Sequence, residues 1–166
     1  HVFIQCSITR AEFIVSKPMS GQTEILTFFS IVHTELQNWN TARRTCLEEG
    51  GHLAIINSAA EAGTVSRLLK ISYSKWGHIG FHDLYQEGDY VTIHGESLAQ
   101  AGYEGWHTGE PNNWDNKEHC GVISTDGTLN DGRCGHEANF ICEFVYDTEK
   151  DNVCEQPIMN NRLLNM

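Results

Sequence analysis

Five oxygen-bearing side chains fall within a short span of this 166-residue chain. Glu110 and Asn112 flank Pro111, Glu118 follows eight residues after Glu110, and Asn130-Asp131 lie beyond the next strand-like run. Three are carboxylates and two are amides. Hard cations such as Ca²⁺ take about 6–8 oxygen ligands. Three carboxylates converging without a counter-charge would repel one another and raise their pKa values. A bound dication turns the same charges into an asset. Taken singly, Glu, Asn and Asp in loops solvate turns, but their joint spacing argues for a metal. Glu110 and Glu118 also resemble a glycosidase acid and base, yet nothing else supplies a nucleophile or a pKa-raising apolar pocket. No catalytic set is found, and the reading is a binding protein rather than an enzyme.

Composition agrees with cation binding. Eleven basic against 22 acidic side chains give a formal net charge of −11 at pH 7. Nucleic acid is excluded as a partner, since counterion release at phosphates needs clustered Lys and Arg. No run approaches the roughly 18 consecutive apolar residues of a membrane span, which excludes membrane insertion. The length and a hydrophobic share of 40% suit one globular domain with a true core. With no initiator Met and no charged-then-apolar leader, the chain reads as mature or trimmed. The cysteines Cys6, Cys46, Cys120, Cys134, Cys142 and Cys154 form no C-x-x-C knuckle and sit in no nucleophile motif. An even count at wide spacing predicts disulfides and a secreted, extracellular setting. The spacing alone leaves their connectivity open.

The elements that must hold these residues are partly readable. Residues 1–36 carry short apolar runs at Val2-Phe3-Ile4, Phe13-Ile14-Val15, Ile25 to Phe29 and Ile31-Val32, read as strands broken by Pro18 and Gly21. A first helix is capped by Asn38, sets Trp39, Ala42 and Cys46 on one face, and stops at Gly50-Gly51. A second opens with Ser58-x-x-Glu61, a capping box, and turns Ala62, Val65, Leu68 and Leu69 inward. Strands are expected at His78 to Phe81, Tyr90 to Ile93, Cys120 to Thr125, around Leu129, and at Phe140 to Phe144. Between them, Gly95 to Lys117 reads as one long irregular loop carrying Trp106, Pro111 and Trp114. Helices early and strands late give the class α+β.

Residues 28 to 144 resemble a C-type lectin domain. The matching pieces are Trp39-x-x-Ala42-x-x-x-Cys46, Gly50-Gly51-His52-Leu53-Ala54-Ile55-Ile56, Ile79-Gly80-Phe81 and Glu87-Gly88. They continue with Trp106, Gly109-Glu110-Pro111-Asn112-Asn113, Leu129-Asn130-Asp131 and Phe140-Ile141-Cys142-Glu143. The style is similar to soluble humoral lectins of invertebrate immunity. The resemblance implies a disulfide-stapled fold of two helices and antiparallel sheets with a long Ca²⁺-binding loop. It divides the chain into an N-terminal extension (1–27), the lectin domain (28–146) and a C-terminal tail (147–166).

The resemblance further implies the pairings Cys46–Cys142 and Cys120–Cys134. Cys6 and Cys154 fall outside the core; an intrachain bridge is favoured and an intermolecular one competes. The implied Ca²⁺ ligands are Glu110, Asn112, Glu118, Asn130 and Asp131, with a cis peptide between Glu110 and Pro111, which only an X-Pro bond tolerates readily. The same five residues would bind sugar: each of two vicinal hydroxyls donates to a carboxylate and accepts from an amide NH₂. Leu129 stands where the family usually has Trp. Asp83, Glu87, Asn113 and Glu118 match a second Ca²⁺ site of some members, with His119 in place of an expected carboxylate.

The reading is thus a secreted, Ca²⁺-dependent carbohydrate-binding domain of mannose, N-acetylglucosamine and fucose preference. Its partners would be microbial or cell-surface glycans in pattern recognition by innate immunity, with oligomers supplying avidity. The alternative is a lectin-like domain that binds a protein or lipid partner, its Ca²⁺ serving only loop structure. His78 and His82 sit four apart, a metal spacing on a helix, but their segment reads as a strand. Trp39 and Trp106 read as core, and Trp114 either as a sugar-stacking ring or as an aromatic folded back onto the domain.

Overall fold

The computed structural model describes residues 12–18 and 25–146. The Val2-Phe3-Ile4 run, Cys6, Cys154 and the tail lie outside the described residues. The sheet is built around β8 (Ala138–Tyr146). On one side β8 pairs antiparallel with β2 (Ile25–Gln37), which pairs in turn with β1 (Glu12–Pro18). On the other it lies parallel to β4 (Trp76–His82), through Gly77↔Asn139 and His78↔Phe140. Antiparallel pairing then continues through β6 (Cys120–Ser124) to β7 (Leu129–Gly132). Two short strands complete the sheet, β3 (His52–Leu53) on β8 and β5 (Val91–Thr92) on β4. The sheet is therefore mixed, where only antiparallel pairing was expected. β2 runs unbroken through the two apolar stretches, because Ser30 is buried and pairs with Glu143 of β8 rather than ending the strand.

The helices follow their caps. α1 (Trp39–Glu48) begins where Asn38 Oδ1 accepts the Thr41 N–H at 3.0 Å. α2 (Ala59–Ile71) begins where Ser58 Oγ accepts the Glu61 N–H at 3.2 Å. The expected capping box is modified there. The buried Glu61 carboxylate reaches past Ser58 to the Asn57 N–H at 2.8 Å, tying the preceding loop to the helix. The stretch Gly95 to Lys117, expected as a single loop, contains a third helix, α3 (Leu98–Ala101). Ser97 and Gln100 form the reciprocal capping box there, with Gln100 N–H on Ser97 Oγ and Ser97 N–H on Gln100 Oε1.

The inward face of α2, Ala62, Val65, Leu68 and Leu69, packs on Ile79, Phe81, Ile123, Leu129 and Ile141. Truncating Leu68 or Leu69 to Ala would cost about 2–5 kcal/mol, a large share of a domain's total of roughly 5–15 kcal/mol. α1 packs Trp39, Ala42 and Cys46 on Leu53, Phe140 and Cys142. The Trp39 indole donates to the Ile79 carbonyl at 2.8 Å, so this buried ring aligns α1 with β4 as well as filling space. Gly80 is required by close approach: a Cβ there would stand 2.6 Å from the Leu53 carbonyl oxygen. Disulfides join Cys46 to Cys142 and Cys120 to Cys134, across sequence separations of 96 and 14. The first ties α1 to β8; the second joins β6 to the segment after β7.

Candidate functional site

The loop after α3 is held to β7 before it reaches its acidic residues. Leu129 N–H donates to the Gly105 carbonyl and His107 N–H to the Leu129 carbonyl, both at 2.8 Å. Leu129, standing where a Trp was expected, is fully buried in the core and fixes the start of β7. The chain then turns at Gly109 (φ +89°) into a cis Glu110–Pro111 peptide. Asn113, Asp115 and Asn116 are left-handed, a conformation Asn and Asp tolerate better than other residues with a Cβ. They form the turn over Trp114–Asn116.

Asp131 is the hub of this loop. Its Oδ1 accepts the Asn112 N–H at 3.1 Å and its Oδ2 the Asn113 N–H at 2.7 Å. Oδ2 also accepts the Tyr90 hydroxyl at 3.2 Å. Asn112 Nδ2 donates to Glu110 Oε1 at 2.8 Å, making an acid–amide pair across Pro111. Glu118 closes the loop: its N–H donates to Asn113 Oδ1 and its Oε2 accepts the Trp114 N–H, both at 3.1 Å. The structure therefore links Glu110, Asn112 and Asp131 directly, and Glu118 to them through Asn113.

Two oxygens at this place stand out. Glu110 Oε2 and Asn130 Oδ1 are buried and have no hydrogen-bond partner. Buried acceptors without partners are rare and costly. Burial, then the neighbouring Asp131 and Glu118 carboxylates, push the Glu110 carboxyl above its ordinary range. A hard dication would answer both features, by accepting the two orphaned oxygens as ligands and neutralising the acids. The donor set fits Ca²⁺.

Asp83 and Glu87 meet His119, with Asp83 Oδ1 at 3.0 Å and Glu87 Oε2 at 3.4 Å from its Nδ1. Asn113 and Glu118, expected beside them, make the backbone contacts already described. His78 is buried on β4 with Nε2 at 3.0 Å from the His136 carbonyl, and His82 Nδ1 accepts the Leu84 N–H at 3.3 Å. Burial lowers the pKa of both. Trp106 packs against the core. Trp114 is 64% exposed and carries the Arg133 guanidinium 4.9 Å from its ring centre, so it is folded onto a neighbouring side chain and not into the core. Tyr90 was missed by sequence reading, because only the fold brings it to a residue 41 positions away.

Residues 35–144 match the family model of the lectin C-type domain. This chain belongs to the C-type lectin domain family. It is 36% identical over 119 residues to a hemolymph lipopolysaccharide-binding protein of Periplaneta americana, covering 67% of this chain and 46% of that protein. It is 34% identical over 110 residues to lectin BRA-3 of Megabalanus rosa, covering 63% of this chain and 64% of the relative. Each match thus spans less than two thirds of the relative. Among solved structures, the C-type lectin CEL-I of Cucumaria echinata superposes with a TM-score of 0.63 at 28% identity, over 70% of this chain and 89% of that one. The carbohydrate-recognition domain of cow CD23 does so with a TM-score of 0.64 at 26% identity, over 72% and 89%. This C-type lectin domain therefore has lectins as its relatives in both sequence and fold.

Proposed function

We propose that this C-type lectin domain binds carbohydrate through Ca²⁺ held by Glu110, Asn112, Glu118, Asn130 and Asp131, with a preference for mannose, N-acetylglucosamine and fucose. The observation that carries this reading is the pair of partnerless buried oxygens, Glu110 Oε2 and Asn130 Oδ1, beside an Asp131 carboxylate and a Glu110 Oε1 that are hydrogen-bonded. Bound Ca²⁺ supplies the charge and the open coordination positions for two vicinal sugar hydroxyls. The protein supplies direction: Glu110 and Glu118 accept from those hydroxyls, while the amide NH₂ groups of Asn112 and Asn130 donate to them. Asp131 holds the loop in shape through two backbone N–H groups.

A site for one sugar makes few contacts, so each domain binds weakly and useful avidity comes from several domains acting together. The Periplaneta americana relative is named for lipopolysaccharide binding in hemolymph. That name supports a secreted protein that recognises microbial surface glycans, as do the disulfides. A glycan array run with Ca²⁺ and again with excess chelator tests the reading. Mannose-type glycans are expected to be retained with Ca²⁺ and released without it; retention indifferent to chelator would overturn it.

A further inference from the structure

We propose that Asp83, Glu87 and His119 form a site for a transition-metal dication, with Zn²⁺ the best fit, separate from the five residues around Asp131. The assignment stands independently of the carbohydrate reading. It begins with strand register. β4 and β6 pair through His82↔Cys120, so the next residue beyond each strand end, Asp83 and His119, face one another. The Asp83 N–H donates to the His119 carbonyl at 3.1 Å. The Asp83 side chain is wholly buried, and the Gly88 N–H fixes its Oδ2 at 2.8 Å. That leaves Oδ1 aimed at His119 Nδ1. A turn between Asp83 and Gly88, closed by Gln86 N–H on the Asp83 carbonyl, brings Glu87 to the same nitrogen.

Two carboxylate oxygens therefore face one imidazole nitrogen, at 3.0 and 3.4 Å. Nδ1 carries at most one hydrogen and serves only one of them. A dication between the three atoms serves all of them at once. One ligand atom from each residue lies within 4.8 Å of the others. Zinc bonds of about 2.0–2.1 Å in tetrahedral geometry put neighbouring ligand atoms roughly 3.3 Å apart, which the two observed separations bracket.

The ligand types select among metals. Imidazole suits Zn²⁺ and is a poor partner for Ca²⁺, which wants more oxygens than this group offers. Asn113 Oδ1 and Glu118 Oε2, on which a larger oxygen shell would draw, are turned to backbone N–H groups of their own loop, and Glu118 does not gather with Asp83, Glu87 and His119. The Gly88 N–H behind Asp83 is the kind of outer support that orients a metal ligand. Three protein ligands leave a fourth position open to water or to a donor on a bound partner. The other group of this kind among the described residues, His33, Glu49 and Cys142, has its sulfur in the bond to Cys46 and offers no thiolate.

The test uses the full chain, stripped with chelator and then saturated with Ca²⁺, titrated with Zn²⁺ by calorimetry and with Co²⁺ by visible absorption. One ion per chain at micromolar affinity or tighter is expected, with the intense bands of tetrahedral Co²⁺. His119→Gln should weaken Zn²⁺ at least tenfold and abolish the bands. Glu87→Gln, at an exposed side chain that the fold does not need, should do the same. His94→Ala removes an imidazole of the His52–His94 pair and should change neither readout. A wild-type chain that takes up no stoichiometric metal would show that a proton alone occupies the group, and would overturn the proposal. Uptake that survives both His119→Gln and Glu87→Gln would overturn it equally.

Discussion

The Tyr90 hydroxyl lies 3.2 Å from Asp131 Oδ2 and donates to it from within the core, while two loop N–H groups grip the same carboxylate. Tyr90 is buried, and burial followed by the Asp131 charge raises its pKa above the ordinary value, so the phenol stays protonated and remains a donor. Its ring packs edge-on against Phe81 of the core and at a tilt against Trp106, which packs on that core. The rigid core thereby reaches the loop's central acid through one hydroxyl.

Replacing Tyr90 by Phe removes that donor and keeps the ring packing. Calcium affinity is expected to fall roughly tenfold, as for loss of a group that orients a metal ligand. The helices should be unaffected. Isothermal titration with Ca²⁺ beside far-ultraviolet circular dichroism checks both halves.

The two disulfides should separate stability from binding. In the chain-entropy model, closing a loop of 96 residues contributes about 4.7 kcal/mol and one of 14 about 3 kcal/mol. Cys46→Ser with Cys142→Ser, which unties α1 from β8, should give the larger drop in denaturant midpoint. Cys120→Ser with Cys134→Ser frees the chain just after Asn130 and Asp131, and should weaken Ca²⁺ out of proportion to its smaller loss of stability. Paired denaturant and calcium titrations on the two variants read this out.

Acidity should release the metal early. Glu110 in the ion-free fold has its pKa raised by burial and by the Asp131 and Glu118 charges. A raised carboxyl pKa means that the folded state takes up this proton before the unfolded chain does. As pH falls through that raised value, the ion-free fold gains stability relative to neutral pH. Calcium must displace the same proton, so its affinity should decline from above the ordinary carboxylate range downward. Calcium titrations at a series of pH values should show this, and Glu110→Gln should remove the earliest part of the decline.

Sugar preference should follow the order of acid and amide across Pro111. Glu110 and Asn112 are joined by a 2.8 Å hydrogen bond, so the pair presents an acceptor and a donor in a fixed arrangement. Glu110→Gln with Asn112→Asp exchanges them at constant net charge. A sugar hydroxyl facing the wrong partner is left unpaired at a cost of about 1–3 kcal/mol. Mannose should therefore outcompete galactose on the unmodified protein, and the double variant should narrow or invert that order. Competition with monosaccharides on a mannan surface measures it.

Much of this arrangement was legible from local signals. Asn38 as a cap and the Trp39, Ala42, Cys46 face located α1, and alternating or continuous apolar runs located β4, β6 and β8. The Glu110–Pro111 cis peptide and both core disulfides came from motif resemblance, not from any pattern of hydrophobicity. α3 was lost because four residues are too few to show a helical period, although Ser97 and Gln100 carried its capping signal. The parallel β4–β8 pair, the Tyr90–Asp131 contact and the meeting of Asp83 with His119 depend on long-range register. No local pattern encodes that register. Glu61 took an unexpected partner for a related reason: the chain path at Asn57 decides which N–H it reaches.

One Ca²⁺ and one sugar are proposed to share the five oxygen-bearing side chains around Asp131. A crystal structure of the chain grown with Ca²⁺ and methyl α-mannoside tests this most directly. An ion is expected at about 2.3–2.6 Å from oxygens of Glu110, Asn112, Glu118, Asn130 and Asp131, with Glu110 Oε2 and Asn130 Oδ1 no longer without partners and two vicinal hydroxyls completing the shell. A mannoside bound away from these residues, or in contact with them while no ion lies between, would contradict it.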